Sequence, residues 1–286
     1  MTDRSAPLVD VDWLLAHLHD PAVRVVDVRW YLTGKRGADE YARGHVPGAV
    51  FADLHRDLAA PPGAGPGRHP LPEAAAFAAF LSRVGVGRGT LVVAYDDAGG
   101  AIAARLWWLL RYFGHGGGRV LDGGIVAWTA AGHPLSTEVP VLAPAPALTL
   151  APGGAGVVDK HAVDHLRSSP RAVLLDARAA DRYQGISEPV DARPGHIPGA
   201  RSAPYTGNLV EPGGRHLDHH ALVARYEALG ALSAESIVCA CGSGVTACHD
   251  LLALAVIGRE DALLYEGSWS DWAADPTLPA RLGPEP

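Results

Sequence analysis

Two parts of the chain repeat one another in the same order and nearly in register. Val25-Val26-Asp27-Val28-Arg29 is followed by Gly44-His45-Val46-Pro47-Gly48-Ala49, and Leu174-Leu175-Asp176-Ala177-Arg178 is followed by Gly195-His196-Ile197-Pro198-Gly199-Ala200. The two aspartates are 149 residues apart and the two histidines 151. A third pair, Leu121-Asp122-Gly123-Gly124 with Trp128 and Tyr265-Glu266-Gly267-Ser268 with Trp272, keeps the order. Self-similarity at so large an offset marks a duplicated domain, and a length of 286 residues accommodates two medium domains. Prolines at 140, 144, 146 and 152 make the stretch from Ser136 to Gly156 unfit for regular structure. The join is therefore expected near residue 145, giving domains 1–145 and 146–286. The Pro-rich tail after Asp275 is expected to be loosely held.

Within each copy, short apolar runs alternate with longer amphipathic ones. Arg24 to Val28, Thr90 to Ala94, Ala172 to Leu175 and Ser236 to Ala240 read as strands; Glu73 to Val84, Ala101 to Phe113, His219 to Gly230 and Val245 to Ile257 read as helices. Apolar strands separated by helices predict an α/β class, each domain a mainly parallel central sheet with helices on both faces. Ligands of such sheets sit at the carboxyl ends of strands.

Apolar residues make up 48% and charged residues 19% of the chain, enough for a packed core and too apolar for disorder. The N-terminus lacks the apolar core of a signal peptide and no apolar run could span a bilayer, so a cytoplasmic location and no membrane partner are expected. A net charge of -7 without a basic cluster argues against nucleic acid. Small molecules or protein thiols remain as partners.

The only cysteines, Cys239, Cys241 and Cys248, fall within ten residues, which is no disulfide framework. Cys241 directly follows a strand, and Cys248, Leu251, Leu252, Ala255 and Val256 then run at helical spacing to Gly258. Between strand and helix lie Gly242, Ser243 and Gly244, which allow successive N–H groups to converge on one point. A free thiol titrates near pH ~8.5, and a helix start with convergent amides favours the thiolate. The same donors suit a persulfide anion, so one geometry serves both halves of a two-step sulfur transfer, with no metal and no organic cofactor.

Cys241-Gly242-Ser243-Gly244-Val245-Thr246-Ala247-Cys248 after a strand, together with the paired Gly-His-(Val/Ile)-Pro-Gly-Ala segments, resembles the tandem-domain rhodanese sulfurtransferases over nearly the whole chain. The resemblance implies two rhodanese-like domains, the first catalytically inert because Asp96 and Asp97 occupy its loop position. The second would carry Cys241 as a persulfide. It also implies a small sulfur donor, 3-mercaptopyruvate or thiosulfate, a thiol or cyanide acceptor such as a thioredoxin-like protein, and a monomer. The neutral loop, Gly242, Gly244, Val245 and Thr246 included, is similar to that of mercaptopyruvate-using members. By the same resemblance Arg182 is directed at the substrate carboxylate. Val190 stands where a second clamping arginine is expected, with Arg193 nearby as its replacement. Ser243 is expected to relay a proton, with His45 reaching the site from the first domain.

Other readings fit the residues less well. Cys239 alternates with Val238 and Ala240 in a strand and reads as core, and Cys248 lies on the apolar stripe of the next helix. A zinc site from the three cysteines and His249 would require the helix to bring Cys248 back to the loop. His196, Arg29, Arg178, Asp27 and Asp176 recur in both copies and read as architecture. A cysteine phosphatase needs an arginine where this loop has Ala247. A persulfide carrier or redox sensor that does not turn over needs the same stabilised thiolate, and steady-state turnover separates it from an enzyme.

Overall fold

The computed structural model describes residues 6–211 and 214–286. The chain forms two compact units. The first is built from the chain up to Ala59, from Pro72–Gly154 and from Leu209–His216; the second from Ala60–Leu71, Ala155–Asn208 and the chain from Leu217 onward.

The first unit runs β1 (Leu8–Val9), α1 (Val11–His17), β2 (Val23–Asp27), α2 (Gly37–Arg43), β3 (Val50–Phe51), α3 (Leu54–Asp57), α4 (Ala74–Arg83), β4 (Leu91–Tyr95), α5 (Ala103–Tyr112), β5 (Gly118–Leu121) and α6 (Gly124–Ala130). The second runs β6 (Val157–Val158), α7 (Lys160–Leu166), β7 (Ala172–Asp176), α8 (Ala180–Tyr183), β8 (Ala200–Ser202), a 3-10 turn (Tyr205–Asn208), α9 (His219–Ala228), β9 (Ser236–Ala240), α10 (Ala247–Val256), β10 (Leu263–Tyr265) and α11 (Ser268–Ala274). Each unit has one parallel five-stranded sheet, ordered β1-β5-β4-β2-β3 and β6-β10-β9-β7-β8. In register, Asp27 pairs with Tyr95 and Asp176 with Ala240, so Asp96 and Cys241 are equivalent first residues beyond equivalent strands.

Strand side chains alternate between two buried faces. On one face of the first sheet Val25, Val93, Tyr95 and Leu121 pack with Val11 and Leu14 of α1 and with Ile125 and Trp128 of α6. In the second, Leu174, Val238, Ala240 and Tyr265 pack with Val163 of α7 and with Trp269 and Trp272 of α11. The opposite faces carry α5 against β4 and β5, and α10 against β9 and β10. Equivalent aspartates start α1, α7 and, with its own cap, α9: Asp10, Asp159 and Asp218 accept the N–H of Trp13, Ala162 and Ala221. Strands β2, β4, β7 and β9 and the long helices are those the sequence predicts, within about two residues, whereas the interior strands β5 and β10 are not among the predicted ones. The edge strands, two or three residues long, carry too little pattern to read.

The repeated residues do the same work twice. Arg29 clasps Asp27 and donates to Gly44 O at 2.8 Å, as Arg178 does with Asp176 and Gly195 O, also at 2.8 Å. His45 stacks on Tyr41 at 3.9 Å and His196 on Tyr183 at 3.7 Å. The tail after Asp275 is firmly tied: His196 pairs with Arg281 through the main chain, Trp272 Nε1 donates to Pro279 O at 2.7 Å and Gly283 N to Gln184 O at 2.9 Å. Its backbone closes over the Gly-His turn, which composition does not reveal.

Candidate active site

In each sheet the connections leave in opposite directions from the pair of central strands, so their carboxyl ends bound a crevice. In the second unit this crevice lies beyond β7 and β9, and Cys241 is there, 2% exposed. The turn into α11 holds the loop main chain: Trp269 N donates to Cys241 O at 2.9 Å and Ser270 N to Gly242 O at 2.9 Å. Ser268 Oγ accepts the Cys241 N–H at 3.0 Å and donates to Tyr265 O at 2.8 Å. Ser268 is buried at φ 51°, alone among the described non-glycine residues in the left-handed region, and its counterpart in the first unit is Gly124 at φ 54°. A serine held where glycine is preferred is strained, and the hydroxyl it brings pins the Cys241 amide. The Gly124-to-Ser268 difference within the repeat was the available signal for it.

Gly244, at φ 75°, leaves no room for a Cβ beside Glu266 O, which explains its glycine. Val245 is buried, while Thr246, half-buried, begins α10 without a side-chain cap. The N–H groups of Gly242, Ser243, Val245 and Thr246 donate to no group among the described residues of the second unit. In the first unit the equivalent space is filled. Asp96 Oδ1 accepts from Ala98 and Gly100, and Oδ2 from Ile102 and Ala103, at 2.7–2.9 Å. The cradle that surrounds a sulfur in one copy is closed on a carboxylate in the other.

Segment Ala60–Leu71, distant in sequence, supplies two further groups to the second unit. Arg68 N donates to Ser270 Oγ at 3.1 Å, and His69 Nδ1 lies 2.7 Å from Ser243 Oγ. Sequence reasoning missed both. Their signal was a fourth internal match, Gly67-Arg68-His69 with Gly214-Arg215-His216. In the first unit His216 Nδ1 lies 3.0 Å from Asp122 Oδ1 instead of facing a hydroxyl.

Three arginines converge beyond β7. Arg182 Nη2 donates to Glu188 Oε1 at 2.7 Å and to Asp191 Oδ2 at 3.1 Å. Arg68 Nη1 donates to Asp191 Oδ1. Arg178 Nη1 lies 3.4 Å from Glu188 Oε2, and its guanidinium covers the Trp269 ring at 4.9 Å. Burial works against the Arg178 charge, but Asp176, Glu188 and the Cys241 sulfur outweigh it and raise its pKa. Burial likewise opposes ionisation of Glu188, yet Arg182 and the N–H groups of Asp191 and Val190 hold its pKa below the usual carboxylate range. A Cβ at Gly242 would lie 3.1 Å from Arg68 Nη2 and 3.5 Å from Arg182 Nη1, so glycine admits both guanidinium groups to the loop.

Two expected substrate contacts are corrected. Arg193 donates to Ala273 O, Leu278 O, Trp272 O and Asp275 O at 2.9–3.0 Å, so all three of its guanidinium nitrogens secure α11 and the tail. His45 is fully buried, with Nδ1 2.8 Å from Tyr41 O and Nε2 3.0 Å from Glu138 O, which leaves no ring nitrogen for a substrate or a proton relay. Cys239 faces the α10 side in the core, where burial pushes its thiol well above the usual range, and Cys248 Sγ donates to Gly244 O at 3.4 Å. No helix of the described residues is long and apolar enough to cross a membrane.

A duplicated parallel α/β fold with one thiol in an amide cradle at the sheet switch point defines a class of sulfur-handling proteins. The family model "Rhodanese-like domain" matches residues 10–131 and 159–275. The Pseudomonas aeruginosa protein named "Probable 3-mercaptopyruvate sulfurtransferase" is 43% identical, over 98% of this chain and 99% of its own. Thiosulfate sulfurtransferase of Bos taurus is 36% identical over 93% and 91%. The solved 3-mercaptopyruvate sulfurtransferase from Leishmania major superposes with a TM-score of 0.81 at 32% identity, covering 96% of this chain and 75% of that one. The chain belongs to the rhodanese family, and it is a sulfurtransferase.

Proposed function

We propose that Cys241 carries the sulfur, that 3-mercaptopyruvate is the preferred donor, and that thiosulfate is used less well. The observation that carries this reading is the approach of Arg68 Nη2 and Arg182 Nη1 to Gly242, beside the thiol. Two guanidinium nitrogens aimed at one spot suit a carboxylate.

The Cys241 thiolate attacks the donor sulfur, forming an S–S bond. With 3-mercaptopyruvate the C–S bond breaks and its electron pair stays on carbon as the pyruvate enolate. The proton from the donor thiol then completes pyruvate, and the Ser243–His69 pair at 2.7 Å is the route for that proton. With thiosulfate the S–S bond to the sulfonyl group breaks and sulfite leaves with the pair, so no proton is needed. The persulfide anion rests among the loop N–H groups until an acceptor thiolate or cyanide attacks its outer sulfur and Cys241 departs as thiolate. The first unit, with Asp96 in the equivalent cradle, takes no sulfur.

Intact mass spectrometry after incubation with each donor alone tests the reading. One added sulfur, about 32 Da, should appear in the native protein and be absent from Cys241→Ser. An unmodified native protein with both donors would sink the proposal.

A further inference from the structure

Glu188-Pro189-Val190-Asp191 forms an acidic turn beside Arg182. The Val190 and Asp191 N–H groups both donate to Glu188 Oε1 at 3.0 Å, which fixes the turn. Asp191, its side chain 4% exposed, then bridges the two arginines, taking Arg68 Nη1 on one oxygen and Arg182 Nη2 on the other. Each guanidinium therefore has one terminal nitrogen on Asp191 and its other terminal nitrogen toward Gly242. Arg182 Nε is buried without a partner, so the bridge and Glu188 alone hold that guanidinium in place. Charge is balanced as well: Arg68, Arg178 and Arg182 are matched by Asp176, Glu188 and Asp191.

We infer that Asp191 is a specificity-determining residue, which aims two arginine nitrogens at the donor and cancels one of their charges, so that a monoanionic α-keto thiol is preferred to a dianionic sulfur donor. This rests on the reading of Cys241 as the sulfur carrier. Asp191 touches neither donor; it acts through Arg68 and Arg182. A balanced cluster offers a carboxylate two directed hydrogen bonds. For the second negative charge of thiosulfate it offers no surplus of positive charge.

The test is the rate of persulfide formation on Cys241 at low donor concentration, expressed as the ratio of thiosulfate to 3-mercaptopyruvate. Asp191→Asn leaves one cation unbalanced and should raise that ratio about tenfold, the size expected for one charge near a dianion in a partly solvated site. Asp191→Glu, which keeps the charge and the bridging oxygens, should return the ratio to its native value. A ratio for Asp191→Asn within about twofold of native, or a shift toward 3-mercaptopyruvate, overturns the inference. Should Asp191→Asn fail to fold, Asp191→Ser, which removes the same charge, should raise the ratio by a similar factor, and no change there overturns the inference equally. Native protein that acquires no sulfur from either donor would instead refute the Cys241 reading.

Discussion

At the scale of single residues, two side chains around Cys241 have separable tasks. Ser268 satisfies the Cys241 amide from a strained backbone. Ser268→Ala keeps that backbone and orphans a buried N–H, so urea unfolding should show a loss of about 1–3 kcal/mol. His69 Nδ1 reaches the loop at Ser243 Oγ. His69→Ala should slow sulfur loading from 3-mercaptopyruvate by about 100-fold and affect thiosulfate far less, because sulfite departs without a proton. Single-turnover loading with both donors measures this, and equal losses would remove the proton route from the mechanism. Cys241 and its glycines were legible in the sequence because their requirements are local: a strand end, a turn and a helix start. Arg68 and His69 were not, because only the tertiary path of Ala60–Leu71 brings them to the loop.

At the scale of elements, α10 is fastened from behind by a buried polar cluster. Asn208 Nδ2 donates to Asp250 Oδ1 at 2.8 Å, while Asn208 Oδ1 accepts from Arg225 Nε at 2.8 Å and from Tyr226 at 3.1 Å. This ties the 3-10 turn, α9 and α10 together. Burial pushes the Asp250 carboxyl up to about 7, although Asn208, Arg225 and Tyr226 pull the other way. The folded state therefore holds a proton that the unfolded state releases near pH ~4, and the stabilisation is lost as pH rises from there through 7. Native protein should lose stability between pH 5 and pH 8, by about 1.4 kcal/mol per unit at the steepest. Asp250→Asn should flatten that slope, as unfolding midpoints against pH would show; parallel curves would contradict it. Periodicity located α10 correctly, yet gave no sign that Asp250 points into the core.

At the scale of the whole molecule, duplication provides one cradle around a thiol and one filled by its own carboxylate. Asp96→Ala orphans four N–H groups and should cost at least about 3 kcal/mol in unfolding experiments, while the chain still loads one sulfur on Cys241. Loss of loading in a folded Asp96→Ala protein would show that the first unit takes part in the chemistry. By itself the sequence determined the duplication, the parallel α/β class and the place of Cys241 between a strand end and a helix start, because repeats, strand runs and turn glycines are encoded in neighbouring residues. Only the tertiary structure decided the company that thiol keeps. His45 and Arg193 spend their polar atoms on main-chain carbonyls, whereas Arg68, arriving from the other half of the sequence, turns a nitrogen toward Gly242 under the hold of Asp191. Long-range hydrogen bonding assigned those roles, and no local pattern records which partner a side chain will find.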